Sequence, residues 1–298
     1  MPEPNGQPRR LIVTADDFGA DVCVNEAVEI AHTQGVLTAA SLMVSAPAAQ
    51  EAVARARRLP DLGVGLHLVL VEGRPTLPAD QVSRLVDTAG FFRTDMAGAG
   101  ARMFFDPVAR RQLLAEVAAQ FEAFARTGLQ LDHVNAHKHF HLHPTIAGAI
   151  LRVGSRYGLR AARTPVEPAH SLALVDPQGH HGGLSPMRLM ARALGRRFRR
   201  AGLTTPDQVF GLAWSGAMTS DRLAGLIDHL PPGLTEIYLH PATADAYPGS
   251  APGYRYRDEL AALTSNEVAD AVAKAEVQLR AFGAIDANEA ASGPRGSR

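Results

Sequence analysis

Short apolar runs that end in a polar residue alternate with helical stretches along almost the whole chain. RRLIVTADD (residues 9–17) sets apolar and β-branched residues ahead of two aspartates. LTAASLMVS (37–45), GVGLHLVL (63–70), LQLDHVNAH (129–137) and the shorter LRAARTP (159–165) repeat the pattern, as do DQVFGLAW (207–214) and LTEIYLH (234–240). Between them, apolar residues recur at helical spacing over 22–33, 48–58, 107–126, 145–157, 220–229 and 265–275. Short apolar runs bounded by polar or turn residues read as buried strands, and strand alternating with helix predicts a parallel sheet or an α/β barrel. A barrel commonly occupies about this length as one domain. Residues 71–105 read as a long loop, and VQLRAF (277–282) as a closing strand or helix end. The termini, 1–9 and 285–298, are polar, small and Pro-containing, and read as unstructured around one domain over 10–284.

The ionisable residues fall in one place on this pattern. Asp16, Asp17, His67, His137 and His240 each lie towards, at or just past the C-terminal end of an expected strand. That edge is where barrels and open α/β sheets build their sites. Two adjacent carboxylates suit divided duties: like charges that close should raise one pKa, leaving one group for a metal and one for a proton. Asp21, just before a helix, reads as a plain N-cap. His67 alone would read as a core histidine, and His240, before Pro241, equally as a turn residue. Their weight comes from convergence.

HVNAHKHFHLHP (133–144) holds five of the chain's twelve histidines. The preceding LQLD and the closing Pro144 favour a strand that leaves the sheet near His137. His137 is then the rim position, His133 a packing or supporting residue, and His139, His141 and His143 a wall above it, expected to touch substrate. His32, His170, His180, His181 and His229 have no such context and read as surface residues. One carboxylate and two imidazoles around a divalent ion, with a second carboxylate as base and a histidine as acid, are the parts of a metal-dependent hydrolase.

Composition removes other classes. Net charge is zero, so no basic field argues for nucleic acid. A single cysteine, Cys23, excludes a disulfide framework and a Cys-rich zinc module. No signal-like or spanning apolar run occurs, so a cytoplasmic protein is expected.

In order, TADDFG, GLHL, HVNAHKHFHLHP, RTP and LHPA resemble the motifs of YdjC-type carbohydrate deacetylases, relatives of the NodB-type polysaccharide deacetylases. The resemblance covers roughly residues 11–263. It implies a distorted (β/α) barrel, with Asp17, His67 and His137 as metal ligands, Asp16 as general base, Arg163 orienting that base, and His240 as general acid. The wording of the histidine segment more particularly resembles the hopanoid-biosynthesis branch, HpnK, implying removal of an N-acetyl group from an N-acetylglucosaminyl hopanoid. Relatives imply either Mg²⁺ or Zn²⁺. Asn135 stands where many members carry aspartate, which removes a charged partner for the metal histidines. A soluble chitooligosaccharide as substrate, or a non-catalytic metal- or sugar-binding role, is the competing expectation.

Residues 185–203 carry six arginines interleaved with apolar residues. Such a basic amphipathic helix either lies on an anionic inner-membrane surface or packs as an ordinary solvated face. A homodimer is the base-rate expectation for quaternary state.

Overall fold

The computed structural model describes residues 8–179 and 186–285. In chain order the elements are β1 (Arg9–Phe18), α1 (Val22–Gln34), β2 (Ala39–Leu42), α2 (Ala49–Ala56), β3 (Gly63–Leu68), α3 (Met96–Phe105), α4 (Pro107–Arg126), β4 (Val134–Ala136), α5 (Pro144–Gly154), α6 (Ala169–Val175), α7 (Pro186–Arg200), β5 (Gln208–Phe210), α8 (Ser220–Asp228), β6 (Gly233–Leu239), α9 (Tyr256–Leu263), α10 (Asn266–Lys274) and β7 (Gln278–Leu279). The strands pair in parallel in the order β4-β3-β2-β1-β6-β5, with β7 adding to the start of β1.

An irregular segment draws the two edges of the sheet together. Val134 bridges Ala162, Ala161 bridges Thr204, and Val209 N–H donates to Val166 C=O over 2.9 Å. The result is a distorted (β/α) barrel. LRAARTP supplies this segment, but only as isolated bridges, because Pro165 has no N–H to extend a ladder. The core is the strand interior packed against the helices, with Phe18, Leu66, Phe121, Phe198 and Phe210 fully buried. Truncating such a residue to alanine typically costs about 2–5 kcal/mol.

Helix starts follow local chemistry. Asp21 caps α1 by accepting from Cys23 N–H at 3.0 Å. Asp106 accepts from Val108 N–H at 2.8 Å, with Pro107 opening α4. Both arrangements satisfy donors that a helix N-terminus leaves orphaned.

Three expectations are corrected. The stretch 71–105 contains α3, whose two glycines weaken its helical pattern; Asp95 caps it through Gly98 N–H at 3.1 Å, and Ala99 and Met103 pack inward. α6 and α9 were likewise absent from the strand–helix pattern. β4 and β5 are three residues each, shorter than their apolar runs. Arg9 pairs with Gly233 at the start of β1, and Ile285 is buried. Otherwise the terminal segments, Ser185 at the head of the basic stretch, and His180 and His181 lie outside the described residues. Among those described, no helix is long and apolar enough to cross a membrane.

Candidate active site

β1 pairs with β2 through Thr14 and Ala15, then slips before Phe18 meets Leu42. The slip falls on Asp16 and Asp17, and Asp17 takes a left-handed φ of 61°. Adjacent residues of a regular strand point to opposite faces. The irregularity re-aims the pair so that both carboxylates reach the C-terminal rim, at a backbone cost of order 1–3 kcal/mol.

Asp17 Oδ1 lies 3.2 Å from His67 Nε2 and 3.2 Å from His137 Nδ1, and the two nitrogens are 3.4 Å apart. The chemistry and spacing of the donor set test the fit of a cation. Ligands about 2.0–2.2 Å from a zinc ion in tetrahedral array stand about 3.3–3.6 Å apart; the observed triangle fits a divalent cation with that spacing. Burial would raise the Asp17 carboxyl, but the facing His137 and His67 hold it well below the usual carboxylate range.

Behind this triangle, Asn135 joins three partners. Its nitrogen donates to Asp16 Oδ1 and to Ser41 Oγ, each at 2.9 Å, so its oxygen is the atom facing His67 Nδ1 at 2.7 Å. His67 must therefore carry its proton on Nδ1, which leaves the Nε2 lone pair towards Asp17 and His137. Ser41 in turn donates to His133 Nε2 at 3.0 Å, and His133 Nδ1–H donates to Asp132 Oδ2 at 2.9 Å. Asp132 is anchored by Gly283 N–H at 2.6 Å, and His133 stacks on Phe282. Every proton in this buried chain has one consistent placement.

Asp16 is clasped from the other side. Arg163 donates from both terminal nitrogens to its two oxygens, and the same guanidinium donates to Glu236 Oε1. Arg163 and Glu236 are 0% exposed and Asp16 3%. Burial would raise the Asp16 carboxyl, but Arg163, then His67, pull it well below the usual range. The expected rise of one pKa in the aspartate pair does not occur, because each carboxylate faces its own nitrogen partners.

Across the cavity stands His240, whose buried Nδ1 has no hydrogen-bond partner among the described residues and lies 4.0 Å from Glu259 Oε2, while its backbone N–H donates to the same carboxylate. Its ring meets Tyr238 and Tyr254 edge-on. Asp16, Asp17, His67, His137 and His240 all line one cavity of about 510 Å³. Carboxylates, imidazoles and a further acid or base on one wall are the apparatus of hydrolysis.

The YdjC-like protein family matches residues 10–274. This chain belongs to that family. A carbohydrate deacetylase from Geobacillus stearothermophilus is 34% identical over 275 residues, covering 91% of this chain and 96% of its own. A carbohydrate deacetylase from Mus musculus is 31% identical over 304 residues, covering 95% and 97% respectively. A solved structure from Enterococcus faecalis V583, of a candidate cellobiose-phosphate cleavage protein, superposes with a TM-score of 0.73 at 25% identity, covering 92% of this chain and 98% of that one.

In this YdjC-like chain the histidine run does not form a single wall. Lys138 and His139 both take left-handed φ values, 52° and 53°, and a 3₁₀ turn over His137–Leu142 scatters the side chains. His139 reaches the cavity and bonds Tyr238 Oη at 2.9 Å. His141 is buried against Arg163 C=O at 3.1 Å, and His143 packs on Phe104 and Phe140. Neither of these two lines the cavity, so the structure brings only His139 of the three expected substrate contacts to it. Asn135 does not leave His67 unsupported; its amide oxygen takes the proton that a carboxylate would.

Glu236, Tyr238, Ser41 and the Asp132–His133 pair were not singled out as site residues. A signal existed for two of them: Glu236, Tyr238 and His240 alternate along LTEIYLH, so a strand sets all three on one face. Ser41 carried none, because its partners His133 and Asn135 are distant in sequence.

Proposed function

We propose that this chain is a metal-dependent amidohydrolase that removes the N-acetyl group from an N-acetylglucosaminyl substrate. One observation carries the reading: the Asp17–His67–His137 triangle opens onto the cavity that also holds Asp16 and His240. The naming of its relatives as carbohydrate deacetylases supports the substrate class. A divalent cation held by Asp17, His67 and His137 would polarise the amide carbonyl and activate water. Two imidazoles and a carboxylate favour Zn²⁺ over Mg²⁺ as that ion.

Asp16 accepts the proton of the attacking water. Arg163 keeps it ionised through the neutral range and fixes its plane, and Asn135 holds one oxygen from the other side. His240 protonates the departing nitrogen, since an amine leaves poorly as an anion and imidazole both takes and gives protons. Tyr238 steadies His139 on the same wall.

The finer proposal is a glycosylated hopanoid lipid. It rests on the likeness of the histidine segment to that branch and on apolar residues at the cavity mouth. Met187 belongs to the cavity wall, and Met187, Leu189 and Met190 are 50%, 57% and 44% exposed at the head of α7. Arg192, Arg196 and Arg200 follow at four-residue spacing on its exposed face, a basic stripe suited to anionic lipid. The test is acetate release by the Zn²⁺- or Mg²⁺-loaded protein, comparing N-acetylglucosaminyl hopanoid with N,N'-diacetylchitobiose. Faster release from the lipid is expected; equal or faster release from the soluble sugar overturns the lipid assignment. Retained activity in both Asp16→Asn and His137→Ala overturns the site assignment.

A further inference from the structure

A second cavity, of about 500 Å³, adjoins the one described. The two share Asp17, Glu72, His137 and Gly249 in their linings, so Asp17 and His137 of the cluster stand on the seam between them. Their characters differ. Asp16, Tyr238 and His240 belong to the first cavity alone, and the second is walled by Met43, Val44, Ala46, Val69 and Phe92.

Several polar groups of the second cavity already have partners. Gln120 uses its oxygen on Val69 N–H at 3.0 Å and its nitrogen on Val69 C=O at 2.7 Å. Ser45 is bonded to Thr76 at 2.6 Å, Asp87 accepts from Ala89 and Phe91 N–H, and Arg74 lies over the Phe91 ring at 4.4 Å. What Met43, Val44, Ala46, Val69 and Phe92 offer a ligand is apolar surface. In the first cavity, by contrast, the His240 ring stands on the wall with Asp16 and Tyr238.

Amide hydrolysis orients a substrate across the seam. The nitrogen that needs a proton must face His240, so the sugar attached to it occupies the first cavity. The remaining substituent on the carbonyl carbon then points past Asp17 and His137 into the second. An acetyl methyl is about the size of one water, roughly 30 Å³, and leaves most of that space empty. We propose that the protein hydrolyses N-acyl amino sugars whose acyl chain is longer than acetyl, with the chain lying between Val44, Ala46, Val69 and Phe92. This rests on the amidohydrolase reading above. The reaction stays a hydrolysis: the water oxygen bonds to the carbonyl carbon, the C–N bond breaks, and the water proton ends on the amine, giving a carboxylic acid and a free amino sugar.

The test is a series of N-acetyl, N-butyryl and N-hexanoyl glucosamine, read as kcat/KM from amine release by the metal-loaded full chain. A buried methylene is worth at most about fourfold, so a rise of at least twofold per methylene is expected. Hexanoate should also inhibit the wild-type protein more strongly than acetate, a reading that needs no variant. Ala46→Phe should cut hydrolysis of the hexanoyl substrate more than tenfold. Hydrolysis of acetyl with a tenfold or greater fall at butyryl overturns this inference and leaves the deacetylase reading standing. A gain from an alkyl glycoside of N-acetylglucosamine, with none from longer acyl groups, overturns it too and assigns the cavity to the aglycone. Failure to hydrolyse any member of the series overturns the underlying reading instead.

Discussion

Asn135 donates its amide N–H to Asp16 Oδ1 over 2.9 Å, and the same amide fixes the proton of His67. One neutral side chain thereby orients both the carboxylate proposed as base and an imidazole proposed as ligand. An aspartate there would have no proton to give Asp16 and would set two carboxylates at hydrogen-bond distance.

Asn135→Leu, which removes both the donor to Asp16 and the acceptor for His67, should therefore lower both metal affinity and kcat. Losing a partner that orients a metal-bound imidazole typically costs 10–100-fold in affinity. Chelator-competition titration with Zn²⁺ gives the affinity, and ¹⁵N shifts of His67 report whether its proton stays on Nδ1. Unchanged affinity with an unchanged Nδ1–H signal would show that His67 is oriented by something else.

Arg163→Met should be among the more destabilising single substitutions in the chain. It strips the counter-charge from Asp16 and Glu236 together, and both are buried. Breaking a buried pair this way costs about 3–5 kcal/mol. Urea denaturation measures it, and Arg163→Met with Glu236→Gln should recover part of the loss, because one stranded charge is gone.

Acid should weaken the fold through His141. Burial, then the Arg163 charge, push its pKa down to about 3, from about 6.5 for a free imidazole. Between those values the unfolded chain binds a proton that the folded one does not, so stability falls as pH drops from 6.5 towards 3. The slope is at most about 1.4 kcal/mol per pH unit. His141→Gln keeps a donor for Arg163 C=O and removes the titration. Denaturation at pH 7.5 and 5 should show a smaller acid loss in the variant than in the wild type.

The barrel and the five rim residues were legible because both depend on short-range pattern. Apolar runs announce strands, and a polar residue at the end of a run announces the rim. The fate of the histidine run was not legible, since it turns on left-handed backbone at Lys138 and His139, which residue types alone do not dictate. The chain from Asp132 through His133, Ser41 and Asn135 to Asp16 was equally hidden. Ser41 is 92 residues from His133 and 94 from Asn135, and only the closing of β2, β3 and β4 side by side brings them together. α3 was missed for a simpler reason, its glycines.

The exposed arginines of α7 should carry membrane attachment. Arg192, Arg196 and Arg200 point away from the buried Ala191, Leu194 and Phe198. Each basic residue near an anionic surface is worth about 1 kcal/mol, so reversing all three to glutamate should abolish sedimentation with phosphatidylglycerol vesicles. Wild-type binding should weaken as salt rises. Equal sedimentation of the two proteins would assign attachment, if any, to another face.

His240 offers a sharper test than loss of activity, because its proposed duty depends on the leaving group. An amide needs its nitrogen protonated as the C–N bond breaks, whereas 4-nitrophenyl acetate releases a phenolate that needs no proton. The ring lies between Tyr238 and Tyr254, with its backbone tied to Glu259, so His240→Ala removes the imidazole while the strand end keeps its anchor. Amide hydrolysis should then fall by about 10²–10⁴-fold, and ester hydrolysis by less than tenfold. An equal fall in both would mean that His240 acts before the leaving step, on the attacking water or on the carbonyl oxygen, and the acid would have to be sought elsewhere on the cavity wall. Preserved amide hydrolysis would remove His240 from the chemistry altogether and leave its ring as part of the cavity wall between Tyr238 and Tyr254.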